Sequence, residues 1–334
     1  MNIRHSKSES GSALVAVLCL IFTAGILTTA TVAIAKTGAF DVHSHLEMQR
    51  SIYIAEGAAN RVQWLIAADR YSFPGEVLGY TDYAEYDFDR YVADGVIHKM
   101  DYYGTKLQFT INDALSGMDF TGTNYRNALT RLSSAFITDT DWGERITKLR
   151  AKLDDYTDSD DNVSEEGMEK SEYEEIYAAP LPRNGAMQFR EELLYIDGFR
   201  ELIPLDKHGR LTRVRLIPPA NSADERRASR PSLFTADLMT LRTYGNLTDE
   251  EAQEVLEALN EWKVNRTLLE DSLDPLLLES LSNFSGQESG YYNIVIEPDS
   301  SHPRPFRRLA QSFEGYSIGG PTNQVLRYLE WMLF

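Results

Sequence analysis

Residues 12–35 carry no charged side chain over 24 consecutive positions. As a helix, at 1.5 Å per residue, that run spans roughly 36 Å, enough to cross a bilayer hydrocarbon core of about 30 Å. Water disfavours such a segment, so it enters a membrane, whether it stays there or is later cut off. Arg4 and Lys7 precede the run. The positive-inside rule keeps that end in the cytoplasm and places the body on the far side.

Three readings of this start are open. Ala33-Ile34-Ala35 is a small-x-small site at which a secretory signal peptide could be cut. The run could also be a plain signal anchor. In the third reading, residues 1–11 are a prepilin leader, and a prepilin peptidase cuts between Gly11 and Ser12, leaving the apolar helix on the mature chain. The residues beyond the run favour the third. No proline stands between Ser12 and Pro74. Met48, Ile52, Ala55, Ala59, Val62 and Ile66 recur at spacings of 4, 3, 4, 3 and 4, which line one helical face. A helix over residues 12–69 would be on the order of 87 Å long. A signal peptide has no reason to continue as an amphipathic helix.

Composition narrows the body. The 334-residue chain is 43 % hydrophobic, so it can bury a real core, and its formal charge is −18. A nucleic-acid partner needs a basic face, and an anionic lipid surface repels such a body. The one cysteine, Cys19, lies inside the apolar run, leaving the body without a disulfide or a cysteine metal site.

Gly11-Ser12-Ala13-Leu14-Val15-Ala16-Val17-Leu18 and Ile54-Ala55-Glu56-Gly57-Ala58 resemble the start of the large minor pseudopilin of type II secretion systems, the general secretion pathway protein K family. Further along, Asp155-Tyr156-Thr157-Asp158-Ser159-Asp160 resembles that family's acidic stretch. Glu172-Tyr173, Pro182-Arg183-Asn184-Gly185 and Phe189-Arg190-Glu191-Glu192-Leu193 come next, in the family's order. Ala16 would be the fifth mature residue, where most pilins carry Glu, and the family shares this absence. Ser232-Leu233-Phe234-Thr235-Ala236 stands where the family has an Asn-rich stretch, a departure in the last third.

The resemblance implies a non-enzymatic subunit at the tip of a pseudopilus that supports protein export. Its body would lie in the periplasm on a single inner-membrane anchor, and its partners would be other minor pseudopilins. The alternatives are a minor subunit of a type IV pilus, or a periplasmic binding protein or glycosidase with a cleaved signal peptide.

The expected fold is α+β: a long N-terminal helix packed on a small antiparallel sheet, with a large, mostly helical insertion. Residues 12–35 would be the transmembrane helix and 36–112 the pilin-like helix and first strands. Residues 113–285 would be the insertion, in two helical blocks with a polar linker near 221–231, and 286–334 the closing strands. Residues 106–111 alternate as a strand, and 291–296 and 324–333 read as two more. Helical spacing marks 124–153 and 234–281, and Thr248-Asp249-Glu250-Glu251 is a capping box.

Eleven acidic residues and one base, Lys170, fall within residues 154–175. Such a run can be a solvated loop. It can also hold calcium, which takes 6–8 oxygen ligands. Asp155, Asp158, Asp160 and Asp161 are close enough to converge, with Glu165 or Glu172 to complete the shell; the family resemblance also implies calcium here. The spacing is not that of an EF-hand. The six histidines form no His-Glu-x-x-His pattern, and there is no Gly-x-Ser-x-Gly elbow, phosphate loop or dinucleotide fingerprint. Tyr80, Tyr83, Tyr86, Tyr91, Tyr102 and Tyr103 crowd one stretch, either as core packing or as a partner surface.

Overall fold

The computed structural model describes residues 9–82, 89–136, 140–176, 181–206, 209–216, 230–299, 309–315 and 326–333. Tyr83, Tyr86 and most of the expected linker near 221–231 lie outside these residues. The chain divides into two units, Met1–Ala55 and Glu56–Phe334, and the division falls within the first helix.

Helix α1 runs Glu9–Ser72. In the first unit, Leu14, Leu18, Ile21, Phe22 and Leu27 are exposed, as expected of a helix whose solvent is lipid. Threonine hydroxyls along it pair with the helix backbone: Thr28, Thr31 and Thr37 donate to the carbonyls of Ala24, Leu27 and Ala33. Toward the other end, Ala55, Ala59, Val62 and Ile66 are buried and Met48 and Ile52 are half-buried, matching the face read from the spacing. Gly57 has a packing reason: a Cβ there would overlap the Tyr102 ring. The helix ends at Ser72, one residue before Phe73, which is held out of the helical region by Pro74.

Among the described residues, the main sheet of the second unit has five strands, β1 Ile97–Tyr102, β2 Thr105–Asp113, β5 Tyr291–Pro298, β6 Leu309–Gly315 and β7 Leu326–Leu333. All pair antiparallel in one sheet, in the order β1-β2-β5-β6-β7. Alternation in β2 sends Leu107, Phe109, Ile111 and Asp113 to one buried face. The register sets Phe109 opposite Ile296 and Ile111 opposite Ile294, so apolar side chains meet across the ladder.

Eight helices fall between β2 and β5 among the described residues, and this segment has its own core. They are α2 Tyr125–Ala135, α3 Thr140–Thr157, α4 Lys170–Ile176, α5 Phe199–Leu202, α6 Leu238–Gly245, α7 Asp249–Asn265, α8 Leu269–Ser272 and α9 Pro275–Ser280. Two short strands, β3 Met118–Asp119 and β4 Val214–Arg215, pair in parallel within it. In α7 the capping box forms as read: Thr248 Oγ1 accepts from the Glu251 amide, and the Thr248 amide donates to Glu251 Oε2. Its buried residues Val255, Leu259 and Trp262 lie 4 and 3 apart, and Trp262 meets Phe234 with ring centroids 4.5 Å apart. The second helical block opens at Leu238, four residues later than the periodicity suggests, because Asp237 caps it by accepting from the Thr240 amide.

Buried ion pairs tie the pieces of this unit together. Arg90 donates to both oxygens of Asp69 at 2.9 Å and lies over the Phe73 ring, holding the end of α1 to the segment before β1. Arg266, just past α7, donates to the buried Asp94 at 3.0 Å. Removing the arginine from such a pair costs about 3–5 kcal/mol, since the buried carboxylate of Asp69 or Asp94 loses its countercharge.

Candidate metal centre

Three segments build the acidic site. Helix α3 buries Ile146, Leu149, Leu153 and Tyr156 at spacings of 3, 4 and 3, and this face fixes the neighbouring Asp155 pointing inward with none of its surface exposed. The chain then leaves the helix at Asp158. In the loop after it, the Asp160 amide donates to Asp158 Oδ1, and the Asn162 amide and side chain both donate to Asp160 Oδ1. A turn comes next, closed by the Gly167 amide on the Ser164 carbonyl at 2.9 Å. Gly167 is required here, because a Cβ would overlap Asp155 Oδ2. Finally, Glu169 stands at the head of α4.

These segments bring one carboxylate oxygen each from Asp155, Asp158 and Glu169 to within 4.8 Å of one another. Asp155 Oδ2 accepts from the Ser164 amide at 3.0 Å. Asp155 Oδ1 and both oxygens of Glu169 are buried without a hydrogen-bond partner among the described residues. No lysine or arginine answers them there either: Lys148 pairs with Glu144 and Glu166, and Lys170 with Glu174. Burial, and then the charges of Asp155, Asp158, Asp161 and Asp160, push the Glu169 carboxyl up to about 7. Oxygens bound to one calcium at about 2.4 Å can lie up to about 4.8 Å apart, so this separation fits a shared cation.

Of the residues expected from the sequence, Asp155 and Asp158 are in the cluster. Asp160 and Asp161 flank it, and Asn184 joins them by donating to the Asp160 carbonyl and to Asp161 Oδ1, both at 3.0 Å. Glu165 is exposed. Glu172 is occupied otherwise. Its Oε2 accepts from the Glu169 amide and from Ser171 Oγ, capping α4. Glu169 escapes the sequence reading because it lies beyond the turn and looks like one more member of the acidic run. The available signals are Glu172 three residues on, which caps it, and Gly167.

Elsewhere the residues have structural roles. His98 stacks on Phe109 at 5.1 Å, and burial lowers its pKa, keeping the ring neutral. Tyr91 joins the same stack, whereas Tyr103 is exposed. A polar cleft of about 300 Å³ lies beside Asn112 and Asn293, and its charges are internally balanced by Arg210–Asp206 and Arg213–Asp237 pairs. Among the described residues, no other group of three acidic, histidine or cysteine side chains converges.

Residues 109–203 match the family model of the type II secretion system (T2SS), protein K. The match covers the acidic loop and the segments containing Asn184 and Glu192, so it bears out the resemblance read from those residues. The chain is also similar to one in the crystal structure of the GspK-GspI-GspJ complex from the enterotoxigenic Escherichia coli type 2 secretion system. That likeness covers 88 % of this chain and 99 % of that one, with a TM-score of 0.54 at 12 % identity. At such low identity it shows the fold: a long N-terminal helix, an antiparallel sheet and a helical segment inserted into it. No curated protein matches the chain.

Proposed function

We propose that this chain is a non-enzymatic minor pseudopilin of a type II secretion system, placed at the tip of the pseudopilus, with calcium held in its acidic loop. The observation that carries the reading is one of order along the chain. An apolar helix able to span a bilayer leads into an antiparallel sheet, and all of α2–α9 are spliced between β2 and β5. The family match falls on the first half of that splice. The type IV pilus and periplasmic-enzyme readings draw no support from either comparison.

The tip position rests on two physical arguments. Ala16 stands at the fifth mature position, where other pilins bury a glutamate that needs a partner from a neighbouring subunit. A subunit with nothing above it neither supplies nor requires that pair. The bulk of the insertion would also obstruct a subunit stacked on top.

Assembly needs a surface, and α1 offers one in its second half. Trp64 and Tyr71, seven residues apart, are 69 % and 74 % exposed with Ala68 between them. Exposed aromatics at helical spacing serve contact with another subunit better than contact with water.

The anchor reading is tested by sequencing the N-terminus of the protein extracted from membranes. Cleavage by a prepilin peptidase gives Ser12 first. A chain beginning at Lys36 would mean a cleaved signal peptide and a free periplasmic protein, and would overturn the proposal.

A further inference from the structure

The segment carrying Asn184 contributes no carboxylate to the acidic cluster, yet it is bound to the loop that flanks the cluster and to the helix before it. Asn184 Nδ2 donates to the Asp160 carbonyl and to Asp161 Oδ1, both at 3.0 Å, across more than twenty residues of chain. Its backbone sits in the left-handed region at φ 49°, a conformation Asn tolerates better than most side chains. The preceding residue, Arg183, donates to Glu192 Oε2. Glu192 is itself buried. Its other oxygen, Oε1, accepts from the amides of Gln188 and Phe189 at 2.8 and 2.9 Å. Oε2 also accepts from the hydroxyl of Tyr156, the residue next to Asp155, at 3.2 Å.

Glu192 therefore holds both walls of the cluster. Through Tyr156 it fixes the end of α3 that carries Asp155. Through Arg183 it fixes the stretch of chain from which Asn184 grips the loop at Asp160 and Asp161. The cluster itself points to a ligand independently of these bonds, since Glu169 is 2 % exposed with neither oxygen partnered among the described residues.

We infer that Asn184 is a positioning residue of the cation site: it pre-shapes the loop over residues 158–161 so that the ion finds its oxygens already gathered. The inference rests on the calcium reading above. Like-charged carboxylates repel and would splay the loop when no ion is present. An amide that donates to two loop oxygens opposes that splaying without adding negative charge. Partners behind the ligands of a metal typically govern about 10–100-fold of its affinity.

Asn184 Oδ1 is itself buried without a partner among the described residues, so ligand is the rival role, and substitution separates it from positioner. If Asn184 bound the ion through Oδ1, Asn184→Asp would keep or tighten binding by adding a charge. As a donor to two oxygens, the amide cannot be replaced by a carboxylate, which accepts only and repels Asp160 and Asp161. The test is calorimetric titration of calcium into the full-length protein in detergent, with melting curves in chelator alongside. Both Asn184→Ala and Asn184→Asp should weaken calcium at least about tenfold, with Asn184→Asp the weaker of the two. In chelator Asn184→Ala should melt close to the parent, since the bonds it loses go to exposed loop residues, while its calcium-dependent rise in Tm should shrink, a split that a merely structural role would not produce. Unchanged affinity in both variants, or tighter binding by Asn184→Asp, would overturn the inference. Absence of calcium binding by the parent would instead remove the calcium reading itself.

Discussion

Asp155 and Glu169 come from opposite sides of a turn and bring carboxylate oxygens within 4.8 Å of each other, both side chains buried. A fold does not gather two buried acids in this way for stability alone. Either Glu169 holds a proton or a cation lies between them.

Calcium should therefore stabilise the body. An ion that binds only the native state contributes RT ln(1 + [L]/Kd), about 2.7 kcal/mol at a hundredfold excess over Kd. The Tm should rise with millimolar calcium and fall with chelator, and magnesium, which needs a tighter octahedral shell, should do less. Glu169→Gln should behave in two opposite ways at once. In chelator at neutral pH it should melt higher than the parent, since the repulsion is gone, and it should lose most of the calcium response. Equal calcium shifts for parent and variant would place the ion elsewhere.

The same residue sets a pH dependence. In the ion-free fold the Glu169 carboxyl is raised from 4.5 to about 7, so the native state keeps a proton that the unfolded chain releases. Its favourable contribution is present below about pH 4.5 and is lost as pH climbs through about 7. Chelated protein should accordingly lose stability across that interval, and Glu169→Gln should flatten the loss. Calcium should displace the proton, so its affinity should climb over the same interval. Titrations in two buffers of different ionisation heat would register the released proton; identical heats would contradict the assignment.

On α1, Trp64→Ala and Tyr71→Ala should leave the Tm nearly unchanged, because exposed side chains away from special features contribute within about 0.5 kcal/mol. Association with partner subunits should weaken, with the double variant worse than either single one, as expected of aromatic anchors. Loss of folding in the single variants would instead show that the two rings support the body.

Much of this architecture is legible because it is periodic. The α1 face from Met48 to Ile66 emerges from the 3.6-residue repeat, and β2 from strict alternation that buries Leu107, Phe109 and Ile111. Strand β1 escapes the pattern: Ile-His-Lys-Met-Asp-Tyr is charged and only half-buried on its better face, as suits the edge of a sheet. Strand β6, Leu-Ala-Gln-Ser-Phe-Glu-Gly, lacks the β-branched residues that mark a strand and forms through its ladder with β5. At the site, composition reveals that acids crowd together but not which ones converge. That choice is made by the turn at Gly167 and by the cap that occupies Glu172, both products of tertiary structure.

The central claim is that this chain works inside an assembly of pilin-like subunits. It is tested most directly by purifying the full-length protein in detergent after co-expression with the other minor pseudopilins of its own secretion system. Light scattering on the purified material would then give the mass. The account predicts a complex of fixed stoichiometry that survives chromatography. Recovery of this chain alone, monodisperse, with every sibling subunit present and folded, would contradict it.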